Sequence, residues 1–101
     1  MNNYEINSSK TITDACITKF TVQTNGEQGG DAGNGSMTHL TIKDLGGTYM
    51  TVQARDSLRR TALDLESQEI TISFGGDAEF RNFCEGIEFI DNQLKQITGG
   101  N

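Results

Sequence analysis

The chain has no proline, no tryptophan, one histidine and two cysteines in 101 residues, and its eight basic residues are outnumbered by fourteen acidic ones. Each shortage excludes something. A formal charge of −6 repels polyanions over long range, so direct nucleic-acid binding and attraction to an anionic membrane surface are both disfavoured. Cys16 and Cys84 are too few and too distant in sequence for a metal site, and they are expected as buried thiols rather than a disulfide. No run nears the ~18 apolar residues that span a bilayer. Met1-Asn2-Asn3-Tyr4-Glu5 carries neither the basic nor the apolar region of a signal peptide, so the expected location is the cytoplasm.

What is present is lean. Hydrophobic residues make up 34% of the chain, and burying ~15 large side chains at roughly 1.5–3 kcal/mol each nearly cancels against ordering entropy. One α+β domain over residues 1–101 is expected, of modest stability, to which a homo-oligomer interface would add.

With no proline, glycine is the punctuation. Ala15 to Thr24 alternates with the period of a strand, Phe20 and Val22 on one side and Thr21 and Gln23 on the other. Met37 to Lys43 places Leu40 and Ile42 on the face of Thr38, and Thr48 to Ala54 places Met50, Val52 and Ala54 together. Gly46-Gly47 between these two runs predicts a hairpin over Met37 to Ala54. Glu69 to Phe74 is the clearest strand, Ile70, Ile72 and Phe74 alternating with Thr71 and Ser73. Residues 1–12 read as an edge strand or a mobile lead-in. Arg55 to Gln68 fits a strand or irregular crossover slightly better than a helical turn.

From Ala78 to Thr98 the period changes to three and four, through Phe80, Phe83, Cys84, Ile87, Ile90, Leu94 and Ile97, which predicts a helix with its apolar stripe on a core. Asp77 is its expected N-cap and Gly99-Gly100 its stop. Arg81 with Glu85 and Asp91 with Lys95 are i,i+4 pairs on the outward face. The fold expected is an antiparallel sheet of about four strands packed on one C-terminal helix.

The departure from ordinary composition is the run from Gly26 to Ser36, five glycines in eleven residues between two strands. Gly29, Gly30, Gly33 and Gly35, with Asp31 and Asn34, would let successive amides converge on a phosphate or carboxylate. Neither a P-loop nor a dinucleotide fingerprint is present, and a plain flexible connection is the alternative. Gly29-Gly30-Asp31-Ala32 recurs as Gly75-Gly76-Asp77-Ala78 at the helix start.

The string Gly29-Gly30-Asp31-Ala32-Gly33-Asn34-Gly35 between threonine-rich strands, followed by Ile72-Ser73-Phe74-Gly75-Gly76-Asp77-Ala78 and an acidic amphipathic helix, resembles small, mostly uncharacterised bacteriophage-encoded proteins. The resemblance covers residues 18 to 97. Those proteins often have histidine where this chain has Asn34. It implies a phage context, hence a host cytoplasm, and action by binding, either sequestering nucleotides of immune signalling or blocking a host or defence protein.

An enzyme needs partners for its base, nucleophile or metal, and the inventory supplies few. His39 stands alone on a strand, facing away from Leu40 and Ile42, and Cys84 falls on the apolar stripe, where burial would make a thiol inert. Asp31 and Asp77 are at most two metal ligands. No catalytic residue, cofactor or metal is expected. The candidate ligand set is therefore the glycine loop with Arg59 and Arg60, whose guanidinium groups fork onto phosphate oxygens, His39, and Tyr49 to stack on a base. The competing use of the arginines is pairing with Asp56, Asp64 and Glu66. Two further readings stand beside a nucleotide-like ligand: an acidic inhibitor docking Glu79, Glu85, Glu88 and Asp91 on a basic host nuclease or immune complex, and a virion or assembly protein.

Overall fold

The computed structural model describes residues 4–30, 34–66 and 68–99, with the backbone alone for 62–66. Six strands precede one helix: β1 Ile6–Thr13, β2 Ile17–Thr24, β3 Met37–Gly46, β4 Thr51–Arg55, β5 Thr61–Glu66, β6 Glu69–Gly75 and α1 Asp77–Thr98. The main sheet has the order β1-β2-β3-β6 with every neighbour antiparallel, and β4 with β5 forms a separate two-stranded ribbon. The architecture is α+β, a four-stranded antiparallel sheet with a C-terminal helix.

Register decides the two faces of this sheet. Ser8, Val22, Leu40 and Ile72 lie in one row across the four strands, and Lys10, Phe20, Ile42 and Ile70 in the next. Because side chains alternate, the opposite face carries the rows Ser9, Thr21, Thr41, Thr71 and Asn7, Gln23, His39, Ser73. Hydroxyl pairs tie that polar face together, Ser9 with Thr21 at 3.1 Å and Thr41 with Thr71 at 2.9 Å.

Four local expectations are corrected. The run Met37 to Ala54 is not a hairpin: β3 pairs with β2 and β6, whereas β4 pairs with β5. The Asp44 carboxylate accepts the amides of Gly46 at 2.7 Å and Thr48 at 3.0 Å, turning the chain out of the sheet there. The turn of the ribbon lies at Asp56–Arg60, where Asp56 Oδ1 accepts the amides of Leu58 and Arg60 and Arg59 takes a left-handed φ of 63°. Asp77 is not the N-cap: Gly76 holds that position and no side chain caps the helix. Arg81 pairs with Glu27 at 3.0 Å, across to the glycine loop. Cys84 is exposed rather than buried. Gly99 does end α1 in the left-handed region, its amide reaching Lys95 O, and Asp91 pairs with Lys95 at 2.9 Å.

The segment read as edge strand or lead-in is an eight-residue edge strand, and Arg55 to Gln68 contains β5. No helix among the described residues is long and apolar enough to cross a membrane.

The best-buried side chains are polar. Thr24, Ser36, Thr38 and Asp77 are buried, the three hydroxyls bonded to one another, while no hydrophobic side chain among those described is buried. The Cα radius of gyration is 15.4 Å, against ~13 Å for a compact chain of 100 residues. The apolar face of the sheet and most of α1 lie open.

Candidate functional site

The glycine loop and the helix start are one structure. The Asp77 carboxylate accepts the amide of Gln28 at 2.9 and 3.1 Å, that of Gly29 at 2.7 Å and that of Ser36 at 2.9 Å. In return the Asp77 amide donates to Gly30 O at 3.0 Å, and the Gly76 amide to Ser36 O at 2.7 Å. The Gln28 amide foremost, with those of Gly29, Ser36 and Gly30, holds the Asp77 carboxyl below its ordinary value of 3.8, against the opposing effect of desolvation. The loop does converge its amides on an anion, and the anion is the protein's own.

Gly35 shows how closely these strands of backbone approach. A Cβ there would overlap the carbonyl of Gly30 and stand 2.8 Å from Asp77 Oδ1. Gly35 must be glycine for space, since it is not among the glycines with positive φ.

The sequence-derived ligand residues are not gathered. Gly29, Gly30, Asn34 and Gly35 sit at the β2–β3 end of the sheet, and Asp31 and Gly33 lie outside the described residues. His39 lies on the polar face beside the same end, its Nδ1 2.6 Å from Ser73 Oγ and its ring edge-on to Tyr4 at 5.8 Å. Tyr49, 81% exposed, and the β4–β5 ribbon with Arg59 and Arg60 leave from the other end of β3, ten residues or ~30 Å of strand away. Arg60 is held by Asp56 at 2.6 Å; the side chains of Asp64 and Glu66 are outside the described set. Among the described residues no group of three or more histidine, cysteine, aspartate or glutamate side chains could hold a metal ion.

What the fold does assemble is apolar. Leu40, Ile72 and Phe74 of the sheet face Phe83, Ile87 and Ile90 of α1 across an open groove of about 380 Å³. A second hollow of about 360 Å³ shares Leu40, Phe83 and Ile87 and continues over Val22 and Phe20 to Ser8 and Lys10. Helix and sheet meet closely near the start of α1, where the rings of Phe74 and Phe83 are 5.4 Å apart. Beyond that contact the stripe is progressively bare: Ile87 is 43% exposed, Ile90 52%, Leu94 58% and Ile97 88%.

Periodicity alone reads these residues as core against the chain's own sheet. Their spacing holds a further signal. Phe80, Ile87 and Leu94 stand seven apart, as do Phe83, Ile90 and Ile97, which is the a and d pattern of a seam between helices over three heptads. No protein-family model, curated protein or solved structure matches this chain.

Proposed function

We propose that this chain is a non-enzymatic protein-binding subunit, whose docking surface is the apolar sheet face together with the stripe of α1. The observation that carries this reading is the absence of any buried apolar side chain among the described residues, beside a continuous exposed set from Phe20 through Ile72 to Ile97. A contiguous open apolar face of this kind marks an interaction surface. A 22-residue helix, ~33 Å long, draws its stability mostly from packing of its apolar face, and beyond the Phe74–Phe83 contact the described residues leave that face bare.

Of the readings open at the level of sequence, assembly and protein binding gain most from the geometry. A nucleotide-like ligand at the glycine loop would have to displace the Asp77 carboxylate, which accepts four hydrogen bonds from three amides. An inhibitor docking through acidic residues alone would leave the apolar face uncovered. A phage context remains compatible with a small assembly protein and rests on the resemblance alone.

Native mass spectrometry of the protein expressed without a tag and released gently from cells tests the proposal. The expected result is a species heavier than the 11.0 kDa chain, whether built from copies or from a different protein. A lone 11.0 kDa species that unfolds cooperatively would overturn it.

A further inference from the structure

If the open apolar face is a docking surface, the seam of α1 specifies its partner. Resting on that protein-binding reading, we infer that α1 binds the α1 helices of further copies of this chain, forming a parallel bundle of three or four helices about a symmetry axis.

The a and d positions beyond the Phe74–Phe83 contact are Ile87 and Ile90, which line the open groove, and the barer Leu94 and Ile97, a strict 3.5-residue repeat that fits against another helix. Among the described residues α1 is the one helix, so none of them supplies a helical partner for this seam. The flanking positions beside this seam are Cys84, Gly86, Gln93 and Thr98 with one charge, Asp91, while Glu85, Glu88 and Lys95 lie further round the helix. A chain of charge −6 therefore brings only Asp91, which is paired with Lys95, near its own copy along the seam, whereas a basic foreign partner would find few acids there.

Area supports the same partner. From their fractional exposures, Ile87, Ile90, Leu94 and Ile97 leave roughly 450 Å² bare per copy, and three or four such surfaces closing on one axis together reach the ~1,200–2,000 Å² scale of a specific interface. The residue types set the number of copies. Isoleucine at both a and d, as at Ile87 and Ile90, or leucine at a with isoleucine at d, as at Leu94 and Ile97, favours three or four strands over two. Cyclic closure of this kind leaves no open interface.

The experiment is sedimentation equilibrium on wild type, Leu94→Glu, Ile97→Glu and Asn92→Glu, the last adding the same charge off the seam. Wild type and Asn92→Glu are expected at three or four times 11.0 kDa, and the two seam variants at 11.0 kDa. Both seam residues are mostly exposed in the single chain, so loss of mass reads contact between chains. In case a seam variant unfolds, Ile97→Cys is oxidised in a Cys16→Ser, Cys84→Ser background. A covalent pair on a non-reducing gel, absent for Asn92→Cys, supports the bundle, and its absence overturns it. An assembled wild type whose mass the seam variants leave unchanged overturns the bundle while the protein-binding reading stands. A wild type at 11.0 kDa bound only to a different protein also overturns the bundle but not that reading, and an unbound, cooperatively folded 11.0 kDa chain overturns both.

Discussion

Asp77 and Gly29, 48 residues apart, are joined by a 2.7 Å hydrogen bond from the Gly29 amide to the Asp77 carboxylate, and this bond closes the glycine loop onto the start of the helix. The buried carboxylate collects donors from both strands of the loop, so its removal leaves the amides of Gln28, Gly29 and Ser36 without their acceptor. Asp77→Ala is expected to lower Tm by on the order of 5–10 °C. Hydrogen exchange should show the loss at those amides first, and unchanged protection there would contradict the role assigned to Asp77.

The same carboxylate makes stability depend on acid. Hydrogen bonds hold the carboxyl groups of Asp77, Asp56 and Asp44 below the ordinary 3.8, the largest causes being the Gln28 amide, the Arg60 side chain and the Thr48 amide respectively. A group depressed in the folded state binds fewer protons than in the unfolded chain. Its contribution is therefore complete above 3.8 and is lost as pH falls below that value through the folded pKa. Thermal melts between pH 7 and pH 2.5 should show a steep fall below pH 4, and Asp77→Asn should flatten it. An identical acid profile in the variant would count against the assignment.

Gly35→Ala tests the close approach of loop and helix. The added methyl would meet the Gly30 carbonyl and the Asp77 carboxylate rather than a movable side-chain end, at a cost of about 1–3 kcal/mol. At Gly86 the new atom meets nothing within 4 Å of its own chain. Urea unfolding of Gly35→Ala should show a lowered midpoint; a midpoint equal to wild type would mean the loop relaxes freely.

A closed loop also predicts silence toward anions. Neither inorganic phosphate nor mono-, di- or cyclic nucleotides at millimolar concentration should raise Tm, since a ligand stabilises only by binding the folded state. A saturable rise with one nucleotide, lost in an Arg59→Ala, Arg60→Ala variant, would restore the ligand reading.

The reach of each signal along the chain decides how much of the fold is legible in the sequence. β6 and α1 are readable because Ile70-Ile72-Phe74 and the stripe from Phe80 to Ile97 repeat within a single element. The ribbon escapes such a reading because its turn contains no glycine: Asp56 makes it by accepting the amides of Leu58 and Arg60, while Gly46-Gly47 offers a more familiar turn. Composition finds the glycine loop but not its occupant, since nothing local ties Gln28 to Asp77. An apolar stripe says that a helix face wants cover and does not say whose. Only the structure shows that Leu94 and Ile97 lie bare of the described residues, 58% and 88% exposed.

If protein from outside the chain completes the apolar face, unfolding is coupled to dissociation, and the melting temperature of purified wild type must depend on its concentration. Over a hundredfold dilution Tm is expected to fall steadily. A sharp transition at one temperature across the whole range would mean that the single chain is stable with its apolar face open, contrary to the docking role proposed for it.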